Sequence, residues 1–373
     1  MKRDWCVQTL TLRRLSTFFL VAVFFSAPSL FAGTATGADF LKIPIGAEPA
    51  GLGEAYTALA HGINALNWNP AGILQTPSMM SRPSMGLSVS HQDQLEENNL
   101  DHLGLIVPNQ SGKNSVGFDL IRLSYADQVA RTADREAVGQ VSAYDMAFGA
   151  AMAHNFGRYQ VGTQLKVIRQ ELAGKQADGF AVDMGLLSAT PSPRLVMGLA
   201  VRNLGPQMRF VSQSSYALPL TFSLGSAYRV TRPLTLAVDV HYLPQQRQTV
   251  LSIGSQFSAG SNFTLRAGYL SKLAQAVTNS QTSETNRGNI ADVSGLVGGM
   301  GFQFRQFNLD YSLTPFGELG NTQMLTLSTW FGETLEEKNN FGSPDAAPES
   351  LPVNRVILIL PVSNETWWGS LRP

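Results

Sequence analysis

The 373-residue chain holds one cysteine, only 14% charged residues and no excess of either sign. Soluble domains carry about 25% charge. A disordered chain needs low hydrophobicity with high net charge, whereas here 44% of residues are apolar and the formal charge is zero. No basic surplus points to nucleic acid as a partner. Cys6 precedes the first apolar run, so it is not the acylated cysteine of a lipoprotein cleavage site, and no disulfide or thiol chemistry is expected beyond it. A second apolar run of about 18 residues is missing, which leaves no candidate transmembrane helix past the N-terminus. Catalytic signatures are missing too. There is no G-x-S-x-G elbow, and the five histidines have no metal spacing. His91 and His102 fall on neighbouring predicted strands and could face one another, but without a third ligand the reading is that both are exposed. Neither enzyme activity, nor a cofactor, nor a metal is expected.

What the chain does have begins with a secretory signal. Lys2, Arg3, Arg13 and Arg14 precede the apolar run Leu15 to Phe25, and Ala32, Gly33 and Ala35 follow as small residues. The expected signal covers residues 1–32 and leaves a weakly acidic mature chain.

Beyond it, apolar residues recur on every second position. Phe180, Val182, Met184 and Leu186 alternate with Ala181, Asp183 and Gly185, and Leu234, Leu236, Val238, Val240 and Tyr242 with Thr235, Asp239 and His241. Period two is the mark of a strand with unlike faces. Fourteen such runs are predicted, at 84–92, 100–108, 114–125, 143–156, 158–172, 178–190, 194–204, 218–230, 233–244, 248–258, 261–270, 292–304, 306–315 and 322–331. Short connections such as Gly157-Arg158 alternate with long ones at 126–142, 206–217 and 271–291. That is the pattern of an outer-membrane barrel with both chain ends on the short-turn side. An open sheet edge in hydrocarbon would leave backbone amides unpaired, so the sheet must close. The predicted fold is all-β, a closed antiparallel transmembrane barrel of about fourteen strands over 84–332, with an N-terminal plug over 33–83.

A secreted β-sandwich also alternates. Its second face would not be rich in small residues and mixed charges, and here Asp119, Lys166, Asp183, Arg202, Asp239, Arg266 and Asp310 occupy that face. Spread over several strands, they suit a polar lumen. Tyr159, Tyr228, Tyr242, Tyr269, Trp330 and Phe331 stand near strand ends as a candidate aromatic girdle against outer-membrane lipid.

The segment FLKIPIGAEPAGLGEAYTALAHGINALNWNPAGILQT, Phe40 to Thr76, does not alternate. A short helix is expected over Glu54 to Ala60 and a turn over Trp68 to Gly72. Gly51 and Gly53 start a phosphate-loop pattern that fails at Tyr56. Their expected use is close backbone approach to the barrel wall. The stretch resembles the N-terminal signature of the PorV/PorQ family, also called UPF0164, a branch of the FadL-like outer-membrane proteins. Phe40, Leu41, Ile43, Gly46, Ala47, Gly51, Gly53, Ala55, Tyr56, Ala58, Ala60, Ala65, Trp68, Asn69, Pro70, Ala71 and Gly72 carry the likeness. The sequence departs from that pattern at Glu48, where the family has Arg, at Leu52 for Met, and at His61-Gly62 for an acidic pair. The resemblance implies a plug motif of Gly51, Gly53, Trp68, Asn69, Pro70 and Gly72. It implies one of two roles: a type IX-like, secretion-associated scaffold with a secretion-system partner, or a FadL-like channel for a hydrophobic ligand.

Residues 333–373 run on past Phe331 as a tail, expected in the periplasm. Val356, Leu358 and Leu360, followed by Trp367 and Trp368, form a segment suited to adding as a strand to a periplasmic protein partner.

Overall fold

A computed structural model of the chain describes residues 36–76, 80–94, 98–109, 111–126, 128–131, 137–209, 215–271, 295–316 and 320–334. The signal at 1–32 and the tail residues Val356, Leu358, Leu360, Trp367 and Trp368 lie outside them. Fourteen antiparallel strands close into a barrel: β1 (Met80–Asp93), β2 (Asn99–Pro108), β3 (Asn114–Ser124), β6 (Ala143–Asn155), β7 (Tyr159–Leu172), β8 (Lys175–Ala189), β9 (Leu195–Leu204), β12 (Thr221–Arg229), β13 (Leu234–Leu243), β14 (Gln248–Ala259), β15 (Phe263–Leu270), β16 (Leu296–Phe304), β17 (Phe307–Pro315) and β18 (Asn321–Thr334). Each pairs with its neighbour in the chain, and β1 pairs with β18. The first strand starts at Met80, before the 84 read from the sequence.

Two segments read as loops carry strands of their own. Within 126–142, β4 (Gln128–Arg131) pairs with β5 (Ala137–Val141), and within 206–217, β10 (Met208–Arg209) pairs with β11 (Ser215–Tyr216). The two-residue connection Ala173-Gly174 has both residues at positive φ (51° and 73°), the backbone that a two-residue hairpin between right-twisted strands requires.

The outer face is apolar. Val89, Leu103, Phe118, Phe148, Leu165, Phe180, Leu236, Leu265, Leu309 and Leu327 are all exposed on alternate positions. An exposed apolar band around a closed ladder has hydrocarbon as its solvent, so the protein is a transmembrane barrel of the outer-membrane type. Phe331, Tyr159 and Tyr228 are exposed on that face. Trp330 is not part of a girdle: it is 5% exposed and packs inward where a Cβ on Gly86 would touch its ring. Strand period two makes this unavoidable once Leu325, Leu327 and Phe331 point out.

Residues 36–76 lie inside the barrel. The expected helix over Glu54 to Ala60 does not form, because Gly53 and Glu54 both sit at positive φ (63° and 65°). Helical turns occur instead at Ala47–Gly51 and Ala65–Trp68, with 3₁₀ turns at Asp39–Lys42 and Pro70–Leu74. Three layers result along the barrel axis. At the long-loop mouth, Phe40 and Ile45 pack on Leu100, Ile121, Leu123, Ile168 and Leu218, and a second apolar group joins Leu243, Val250, Leu270 and Val297. Charged groups fill the middle. Toward the short-turn end, Leu52, Tyr56, Ile63, Leu66, Trp68 and Ile73 form a core with Ile106 and Trp330.

Candidate functional site

The site is the contact between plug and wall, and it is polar where a solvated lumen would have water. Glu48 is buried at the centre. Arg266 on β15 donates from Nη2 to Glu48 Oε1 (3.1 Å) and from Nη1 to Asp310 Oδ1 on β17 (2.7 Å). Tyr56 donates its hydroxyl to Glu48 Oε2 (2.9 Å), and Asn64 Nδ2 donates to the same oxygen at 3.4 Å, with His61 Nε2 also 3.4 Å away. Burial alone would raise the Glu48 carboxyl, but the His61 and Arg266 charges and the Tyr56 and Asn64 donors hold it below its ordinary value. The Tyr56 phenol is driven well above its ordinary value by burial and then by the Glu48 charge, so it stays a donor. The sequence departs from the family pattern at position 48, and the carboxylate there takes Arg266 as its partner.

A depressed carboxyl contributes stability above its unfolded value and loses it as the pH falls through its folded one. The seating of the plug is therefore expected to hold across neutral pH and weaken on acidification below 4.5, the ordinary glutamate value. Protease cleavage of the plug measured against pH checks this, and Glu48→Gln should flatten that acid limb.

The other lumenal charges are placed as follows. Lys166 Nζ lies 2.6 Å from Asp183 Oδ2. Asp183 Oδ1 accepts the backbone N–H of Asn203 (2.7 Å), which stands at φ 60° where the β8–β9 ladder is interrupted between Val182 and Met184. Asp119 accepts from Gln164 Nε2 (2.6 Å). Asp239 accepts the backbone N–H of Thr57 (2.6 Å) and so serves as a wall-borne acceptor for a plug amide. Arg202 donates to the Asn67 carbonyl (3.0 Å) and lies 5.0 Å over the Trp68 ring. All seven predicted charges thus face inward. Arg266 and Asp310 join in one cluster, Lys166 and Asp183 in another, and Asp119, Arg202 and Asp239 stand in separate contacts.

The histidines divide. His91 is exposed on the outer face against Asp101 (2.7 Å), while His102 is buried in the lumen. Their strands pair, but at Ser90 with His102 and at His91 with Asp101, so the two imidazoles occupy opposite faces.

The plug motif is pinned by Asn69. Its Oδ1 accepts the Ala71 N–H (3.3 Å) as the cap of the turn Pro70–Leu74, and its Nδ2 donates to the carbonyls of Thr57 (2.9 Å) and Leu186 (3.2 Å). Trp68 donates from Nε1 to the Ile45 carbonyl (2.9 Å). Gly51 meets Gly299 of the wall, Gly53 meets Gly268 and Tyr269, Gly72 abuts Ala60, and Pro70 lies against Gly162 and Gly185. Substituting Asn69→Ala removes three hydrogen bonds and strands buried backbone groups. A loss of about 2–3 kcal/mol is expected, read as a lower thermal midpoint of the folded barrel in detergent.

The model of an uncharacterised protein family, UPF0164, matches residues 32–294. The chain belongs to that family. The match covers the plug and the wall up to the loop before β16, so the plug contacts described above belong to a UPF0164 barrel. No curated protein matches the chain. Among solved structures, this UPF0164 chain is similar to the crystal structure of the Pseudomonas putida toluene transporter TodX, with 14% identity and a TM-score of 0.49, covering 81% of this chain and 98% of that one. It is also similar to a crystal structure of a Pseudomonas aeruginosa FadL homologue, with 10% identity and a TM-score of 0.45, covering 76% and 97%.

Proposed function

We propose that this UPF0164 barrel resides in a bacterial outer membrane and acts with its lumen shut, as a secretion-associated scaffold of the type IX-like kind that its plug signature resembles. The observation that carries this reading is the closed interior. Ala47, Leu52, Tyr56, Ile63, Leu66, Trp68, Asn69 and Ile73 of the plug are buried inside the wall, and β16, with its run Gly298-Gly299-Met300-Gly301, keeps unbroken register with both neighbours. Within that run Gly299 admits the plug backbone at Gly51, and Gly301 leaves room for the Arg266 and Asp310 side chains. A scaffold needs outward surfaces rather than a bore. The tail segment Val356 to Leu360 with Trp367 and Trp368 is assigned, from its sequence, to a periplasmic protein partner.

Cross-linking in intact cells followed by purification of the full chain tests the proposal. A stable complex with secretion proteins, and loss of surface proteins on deletion, supports it. Truncation after Thr334, where β18 ends, should remove the tail's share of that complex, and an unchanged set of co-purifying proteins overturns the tail assignment.

A second reading, uptake of hydrophobic small molecules, has its own observation. The sequence predicts a polar lumen, and its outermost layer of inward side chains is instead apolar at Leu100, Ile121, Leu123, Leu243, Val250 and Leu270. Such a layer suits reception of an apolar compound at the mouth. Uptake of a labelled hydrophobic compound that disappears on deletion favours this reading over the scaffold.

A further inference from the structure

The two rims of the barrel differ in charge. The short turns joining β2 to β3, β6 to β7, β8 to β9, β12 to β13, β14 to β15 and β16 to β17 contain or adjoin Lys113, Arg158, Arg194, Arg229, Arg232 and Arg305, and no Asp or Glu occurs in any of them. The connections at the opposite rim hold eight acids and six bases. On the short-turn rim all but the half-buried Arg229 are exposed.

Their neighbours matter as much as their sign. Arg158 stands between the outward rings of Phe156 and Tyr159, Arg229 follows Tyr228, and Arg305 lies 5.5 Å over the Phe304 ring. Aromatic rings at the edge of an apolar belt sit at headgroup level, and long cationic side chains beside them reach outward to phosphate. Arg305 is informative in a further way. It occupies φ 52° in a two-residue turn, a conformation that glycine or asparagine adopts more cheaply. Arginine is held in this turn at a conformational cost, as it is at Arg247 on the opposite rim.

We propose that this basic rim is a docking surface for the anionic phospholipid headgroups of the leaflet on the short-turn side. The cations lie around the circumference, in the turns between wall strands, rather than across the plug, so they face a lipid annulus more directly than a protein seated beneath the mouth. The proposal concerns the outside of the barrel and stands whether the lumen conducts or not.

The test uses the full chain in nanodiscs of equal parts phosphatidylglycerol and phosphatidylcholine, with the lipids retained after detergent exchange counted by mass spectrometry. The wild type is expected to retain phosphatidylglycerol preferentially. The preference should fall about fivefold for each exposed cation removed in the combined variant Arg158→Gln, Arg194→Gln, Arg232→Gln and Arg305→Gln. Raising the salt concentration should abolish the wild-type preference without any substitution, a control independent of whether the variant folds. Retention of both lipids in their bulk ratio by the wild type overturns the proposal, as does a preference that survives in a folded variant. So does a rim held by an acidic protein when phosphatidylglycerol shows no enrichment.

Discussion

Replacing Arg266 with methionine is expected to destabilise the seated plug by about 3–5 kcal/mol, the cost of leaving buried carboxylates without their cation. Arg266 bridges Glu48 of the plug and Asp310 of the wall, and all three side chains are buried. The guanidinium also donates from Nε to Gln256 Oε1 at 3.3 Å, so its head has partners on three sides and methionine replaces none of them. The loss should appear in the plug before the wall. Glu48 is forced to protonate or leave, and the turn Ala47–Gly51 leaves with it, while the β15 ladder to β14 and β16 is made by backbone and persists. Protease cleavage within residues 47–64 in a barrel that still migrates as folded is the expected result. The combined variant Arg266→Met, Glu48→Gln, Asp310→Asn should recover much of the loss, because removing every charge of a buried pair costs far less than removing one. If the single variant keeps its plug protected, the cluster does not hold the plug.

The parts of this molecule that were legible in the sequence are those in which one physical constraint acts on adjacent residues. Lipid outside and plug inside impose period two on every wall strand, so Phe180 to Leu186 or Leu234 to Tyr242 declare their faces without help from elsewhere in the chain. The same rule also separates neighbouring residues of unlike role. Val89 and His91 share one face, as do Leu100 and His102 the other, which already separates the two histidines, and Phe331 facing out requires Trp330 to face in. The plug was harder because nothing periodic acts on it. Its left-handed residues at Gly53 and Glu54 break a segment whose composition favours helix. The ion cluster was out of reach for a different reason. Glu48 and Arg266 are 218 positions apart and Arg266 and Asp310 are 44 apart, so only closure of the barrel brings them together. One signal was present: a buried acid at position 48, against the pattern it departs from, demands a cation, and Arg266 stood on the polar face of a predicted strand.

Gly268→Leu is expected to expel the plug while leaving the barrel closed. A Cβ at this position would fall on the backbone of Leu52 and Gly53, atoms that cannot turn aside as a side chain can. Gly53 is itself fixed from the opposite direction, since its φ of 63° and its approach to the Tyr269 backbone leave it no larger residue and no room to retreat. Overpacking a well-filled core costs about 1–3 kcal/mol where side chains can adjust, and here the obstacle is main chain, so the effect should reach or exceed the upper end. The wall loses nothing comparable, because Gly268 keeps its pairing with Gly254 and Val297 whatever its side chain. Planar-bilayer conductance separates the outcomes: the wild type should be nearly silent and Gly268→Leu should pass ions steadily. Gly298→Leu supplies the matched control on the adjoining strand, since a Cβ there meets nothing within 4 Å, and it should stay as silent as the wild type. Equal conductance from the two variants would mean that the plug is not what closes the barrel, and the shut-lumen reading would fall with it.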